Sequence, residues 1–195
     1  MKAINYFMKI SRFIILVTAS LLFFSCSSND DNNVNEVTPV TIEEGRISFN
    51  VSGFEDAFME GDVDYVLSNS YNTKYLVISN EEHIMYNGRM WNILIEQKSE
   101  EDISLPEPGD YPIVQGSSDY YSQGTFTVTV SMFTDTMTDT GTHFGGNSGE
   151  VSGTLKIVSI ADDIIRGTFS FEAHTYEGEK ITVRNGEFAA PKNSW

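Results

Sequence analysis

Apolar and polar residues alternate with a period of two along most of this 195-residue chain, and that period constrains the fold more than any other feature. Residues 125–132 read TFTVTVSM. Phe126, Val128, Val130 and Met132 fall on one side, and Thr125, Thr127, Thr129 and Ser131 on the other. Residues 167–174 read GTFSFEAH, with Phe169, Phe171 and Ala173 opposed to Thr168, Ser170, Glu172 and His174. Ile47, Phe49 and Val51 alternate with Ser48, Asn50 and Ser52, and Ile181 and Val183 with Thr182 and Arg184. Successive side chains of a strand point to opposite faces, so these segments suit antiparallel strands with one dry face and one wet face.

Turn chemistry falls between the alternating runs. Asn87-Gly88 separates HIMY from RMWNILIEQ, and Asp162-Asp163 separates LKIVSIA from IIRGTFSFEA. Two-residue hairpin turns need positive φ, which Asn, Asp and Gly tolerate best. Pro106, Pro108 and Gly109 mark a loop. Strands are expected near 46–52, 63–68, 74–80, 83–87, 89–97, 110–114, 123–133, 151–161 and 164–174, with a short last one near 180–189. Over Phe54 to Glu60, Ser52 and Glu55 have capping-box spacing and Gly61 is a stop signal. A short helix, a single turn and a plain loop all fit there. The expected fold is all-β, an antiparallel β-sandwich of about nine to ten strands. A partly open calycin-like β-barrel is the alternative, because alternation does not reveal whether the inner face encloses a cavity.

The first twenty-five residues have a different character. Lys2, Lys9 and Arg12 lead into an apolar run, Phe13 to Phe24, followed by Ser25 and by Cys26, the one cysteine of the sequence. Basic lead, apolar core and small residue are the order of a secretory signal. An uncleaved membrane helix needs about 20 apolar residues, more than this run offers. The arrangement resembles a bacterial lipoprotein signal peptide over residues 1–25, cut before Cys26, whose thiol then carries lipid. Residues 22–25, Leu-Phe-Phe-Ser, resemble the looser lipoboxes of Bacteroidota lipoproteins. The lipoprotein modification supplies several acyl chains, which anchor firmly, since each buried methylene contributes about 0.8 kcal/mol. Residues 26–42 are expected to be a flexible acidic linker, and residues 43–195 the β-sandwich domain. Asp30 and Asp31 resemble the acidic export signal of some surface-exposed lipoproteins. The expected location is therefore the outer membrane, on its periplasmic or its surface side.

Charge narrows the partners. Removing residues 1–25 takes away three basic residues and no acidic one, leaving nine Lys and Arg against 28 Asp and Glu, a net charge of −19. Such a body repels phosphate backbones and anionic head groups. The basic residues that remain are scattered singly, so nucleic acid is not an expected partner. A single cysteine, committed to lipid, leaves none for a disulfide, a thiol nucleophile or a cysteine-bound zinc.

The C-terminal stretch carries a recurrent pattern: Gly153-Thr154-Leu155, then Gly167-Thr168-Phe169-Ser170-Phe171, then Asn185-Gly186-Glu187-Phe188. It resembles a family of uncharacterised Bacteroidota lipoproteins that join a lipoprotein leader to a β-rich domain. The likeness covers the last forty residues well and the earlier part only in its strand pattern. It implies location and fold, and no activity. The glycines read as backbone requirements, at bulges or close strand packing.

Candidate sites are few. Asp135, Asp139 and His143 lie in a polar, glycine-rich stretch from Asp135 to Gly149. Calcium wants six to eight oxygens in a compact loop, and this spacing matches no such pattern, so a solvated loop or lengthened hairpin is expected and no metal. Asp135-Thr136-Met137 resembles the Asp-Ser/Thr-apolar acceptor for O-glycosylation of exported Bacteroidota proteins, which makes Thr136 a candidate attachment site. Gly145-Gly146 lacks the Lys-Ser/Thr of a phosphate loop, and no Gly-x-Ser-x-Gly elbow is present. His83, His143 and His174 fall near a turn, in the polar loop and on the wet face of a strand. Glu81-Glu82 and Glu100-Glu101-Asp102 read as solvated charge runs. Tyr120, Tyr121 and Trp91 offer rings for sugar stacking, although the alternation of Trp91 with Ile93 and Ile95 places it in a core. Together these features lead to an expectation of no cofactor and no catalysis. What remains is a binding or structural module with a protein or glycan partner, or a small-ligand carrier if the interior is hollow.

Overall fold

The computed structural model describes residues 40–70, 73–80, 84–99, 103–116, 124–134 and 141–193. Cys26, the linker up to residue 39, Asp135, Thr136, Asp139, His83, Tyr120 and Tyr121 lie outside the described residues.

The fold is an antiparallel β-sandwich. Its strands are β1 (Arg46–Gly53), β2 (Ala57–Asp62), β3 (Asp64–Ser70), β4 (Thr73–Ser79), β5 (Ile84–Tyr86) and β6 (Arg89–Ser99) in the first half of the domain. The second half adds β7 (Gly109–Ile113), β8 (Thr127–Phe133), β9 (Thr142–Gly145), β10 (Val151–Ala161), β11 (Ile164–His174) and β12 (Lys180–Pro191). The first sheet runs β2-β1-β12-β11-β10-β7, and the second β3-β4-β6-β8-β9, with β5 paired to β6. The sheets stay open and do not close into a barrel.

Among the described residues twelve strands replace the nine or ten expected, for two reasons. Residues 57–62 form edge strand β2 against β1, so the helix considered over Phe54 to Glu60 is corrected. Met59 is fully buried, while Phe58 is mostly exposed, the pattern of a half-buried edge. The second addition, β9, pairs with β8 inside the polar stretch and buries Phe144 completely. The last strand, expected to be short, is the longest, at 12 residues.

Both expected hairpins form around left-handed turn residues. Asn87 and Gly88 have φ of 51° and 73°, and Asp162 and Asp163 have φ of 54° and 58°. Two consecutive positive φ values match the right-handed twist of the flanking strands.

Alternation delivers one apolar face from each sheet to the interior. Phe49, Leu155, Phe169 and Phe188 come from the first sheet, and Ile78, Ile95, Val128 and Phe144 from the second; all belong to one continuous buried cluster. Each such side chain contributes about 1.5–3 kcal/mol on burial. Trp91 is 1% exposed and stands opposite Ile84 on β5 and Met132 on β8, so it serves the core, as its alternation indicated. Buried Asn80 ties β4 to β6. Its Oδ1 accepts from the backbone N–H of Ile93 at 2.7 Å and from Asn92 Nδ2 at 3.1 Å.

Candidate surface site on the outer face of the first sheet

The polar half of the alternation lands on the solvent side of the first sheet. Register sets Asp110 on β7 beside Lys156 on β10, Lys156 beside Thr168 on β11, Thr168 beside Glu187 on β12, and Glu187 beside Ser48 on β1. The next rank holds Thr154, Ser170 and, on β12, Arg184 and Asn185. Two shallow troughs of about 560 and 460 Å³ lie over these ranks and share Ser170 and Asn185.

A bulge shapes this surface. Between the pairs Phe169–Gly186 and Phe171–Val183, Arg184 and Asn185 on β12 oppose Ser170 alone on β11. An extra residue on one strand bends it and increases its twist. Asn185 takes the left-handed conformation there, with φ of 52°. A second irregularity, at Val158 on β10, lies in the wall of the larger trough.

Charges on this face are balanced. Arg46, Lys156, Arg166, Lys180 and Arg184 stand against Glu60, Asp62, Asp110, Glu172 and Glu187. Arg46 bridges Glu60 at 2.6 Å and Asp62 at 2.5 Å, and these hydrogen bonds, Glu60 first, raise its pKa. Lys180 bridges Glu172 at 2.9 Å. The hydrogen bond from Lys180, reinforced by its charge, holds the Glu172 carboxyl below the ordinary range. Arg166 reaches across to the carbonyl of Ile42 at 3.1 Å.

Beneath the face, the C-terminal motif has a packing explanation. Each of its three glycines lies directly opposite one of its phenylalanines: Gly153 opposite Phe171, Gly167 opposite Phe188, and Gly186 opposite Phe169. Phe188 is fully buried, and Phe169 and Phe171 are 3% exposed. A Cβ on Gly167 would sit 2.6 Å from Phe188 Cζ, and one on Gly186 would sit 2.6 Å from Phe169 Cζ. The rings occupy the volume that side chains at the glycines would take. The motif therefore builds the inner wall of the sheet whose outer side is the trough.

Among the histidines, His143 lies on β9 and His174 ends β11. The Nδ1 of His143 is 2.8 Å from Ser131 Oγ, and its ring meets Phe133 edge-on with centroids 5.7 Å apart. Ser131 and His143 are register partners on adjacent strands, so their contact is a cross-strand pair that orders the sheet. Among the described residues, no group of three or more His, Cys, Asp or Glu is placed to hold a metal ion, and no helix is long and apolar enough to cross a membrane.

The trough takes wet-face members of the C-terminal motif, Thr154, Thr168, Ser170, Asn185 and Glu187, whereas Trp91, His143 and His174 do not line it. It is assembled from ordinary wet-face positions whose meeting depends on cross-strand register. The usable signal was the concentration of Ser, Thr and Asn at alternate positions of 152–187. Comparison of the chain with protein-family models, curated proteins and solved structures finds no match.

Proposed function

We propose that this chain is a non-catalytic binding or structural module, held to the outer membrane by lipid on Cys26, with the outer face of the first sheet as its contact surface. The observation that carries the surface assignment is the balanced charge of that face on a chain whose net charge after the leader is −19. A polar partner docking there neither meets a repulsive field nor strips water from surplus like charge. Its central groups are short hydroxyls and an amide, which lose little rotamer freedom when they bind. The residues of the leader support the anchor.

The packed core favours surface recognition over the carrier reading. Side chains from both sheets fill the interior as one cluster, and the two troughs open on the outside.

A photo-crosslinking residue placed at Ser170 tests the assignment, with one at Asn69 on β3 as the control; both positions are exposed. In native envelopes, Ser170 is expected to yield a discrete adduct that Asn69 does not. Equal labelling from both positions, or none from Ser170, contradicts the proposal.

A further inference from the structure

We propose a second site, a saccharide-binding site between the β11–β12 hairpin and β9, with Tyr176 as its stacking platform. The site shares no residue with the trough. It is a depression of about 510 Å³ whose lining includes Thr142, His143, Ser148, Tyr176, Glu177 and Glu179.

The hairpin loop is braced from within. Thr175 N–H donates to Glu179 O at 2.8 Å, Gly178 N–H to Thr175 O at 3.1 Å, and Glu179 N–H to Thr175 Oγ1 at 3.1 Å. Gly178, with φ of 90°, takes the left-handed position that closes such a loop after its first turn. Thr175 is buried at 5% exposure, whereas Tyr176, next along the turn, is 90% exposed. The chain thus presents a full phenol ring to solvent on a turn whose backbone is tied down. A tyrosine on such a backbone has only two side-chain torsions to order and so offers contact area at little cost.

The opposite wall is fixed as well. His143 is set by Ser131 and Phe133. The loop after β9 is joined to the hairpin where the His174 N–H donates to Glu150 O at 2.8 Å. The two walls are therefore held together before any ligand arrives.

The lining selects the ligand class. Glu177 and Glu179 accept hydrogen bonds and repel anions. Thr142 and Ser148 supply donors as well as acceptors. A cationic ligand would use acceptors alone and gain nothing from the donors. Sugar hydroxyls both donate and accept, and the apolar face of a pyranose stacks on an aromatic ring. The geometry therefore points to a neutral saccharide.

The test uses the full mature protein and a panel of neutral hexasaccharides of glucose, mannose, xylose and N-acetylglucosamine, followed by titration calorimetry. Tyr176→Ala and the double variant Glu177→Gln/Glu179→Gln are compared with wild type, and tetralysine serves as a cationic probe. Because Tyr176 is exposed, its removal should leave thermal unfolding unchanged. At least one saccharide is expected to bind, with affinity reduced about tenfold or more in Tyr176→Ala and also reduced in the double variant. Three results overturn the proposal: no saccharide binding at millimolar concentration, binding indifferent to Tyr176→Ala, or binding of tetralysine alone.

Discussion

Gly167 on β11 stands directly across from Phe188 on β12, and the phenyl ring fills the space that a Gly167 side chain would need. The same relation joins Gly186 to Phe169 and Gly153 to Phe171. The three sites differ in what a new methyl would strike. At Gly186 the nearest atoms all belong to the Phe169 ring; at Gly153 the carbonyl oxygen of Ser170 is closest. A ring can tilt, but a backbone oxygen in a sheet ladder cannot yield alone. Gly186→Ala should therefore cost about 1 kcal/mol and Gly153→Ala about 3 kcal/mol. Chemical denaturation of the soluble domain checks the order. Adding Phe169→Leu to Gly186→Ala should recover part of the loss, as coupled neighbours do.

Asn185 holds a left-handed backbone at the β12 bulge. A Cβ without a polar group costs about 1–2 kcal/mol in that conformation. Asn185→Ala should destabilise by about that amount, while Asn185→Gly should stay within about 0.5 kcal/mol of wild type. Equal losses from both would mean that the side chain, and not the φ angle, matters. Paired denaturation curves distinguish the cases.

The β10–β11 turn carries two aspartates, both with positive φ, on an already acidic chain. Replacing Asp162-Asp163 by Asn-Gly relieves the strain and removes two neighbouring like charges. The turn's backbone bond, Lys192 N–H to Asp163 O at 2.9 Å, needs no side chain. The double replacement should raise stability by about 1 kcal/mol, read as a higher melting temperature.

Glu172 and Lys180 make a solvent-exposed bridge on the outer face. The hydrogen bond and charge of Lys180 lower the Glu172 pKa in the folded state. The bridge's contribution is therefore fully present above the unfolded carboxylate range and is lost as pH falls through the folded value. Titration of the Glu172 carboxyl by NMR should give a midpoint below that of an ordinary glutamate. Lys180→Ala should move the midpoint up, and high salt should narrow the difference.

Much of the architecture was legible because one face of most strands is dry. Phe126, Val128 and Val130 are all fully buried, as TFTVTVSM required, although Thr127 and Ser131, expected on its wet face, are buried too, and Asn87-Gly88 turns where its chemistry demands. β2 escaped because Met59 is its one fully buried large side chain and Gly61 breaks the pattern. Gly61 itself answers a distant neighbour: a Cβ there would strike Ile84 on β5. The length of β12 was hidden by the bulge. Ile181 and Val183 face inward, then Arg184 and Asn185 shift the phase before Gly186 and Phe188 face inward again. The trough was not legible as a site. Thr168 and Glu187 stand in the C-terminal motif, but they and Lys156 meet only through register across three strands.

The functional account rests on a thioether-linked lipid at Cys26, and metabolic labelling with radioactive palmitate tests it most directly. The wild-type protein should carry the label and sediment with outer membranes. Cys26→Ser should carry none and leave the membrane fraction. Sedimentation and labelling unchanged by that substitution would contradict the anchored module proposed for this chain.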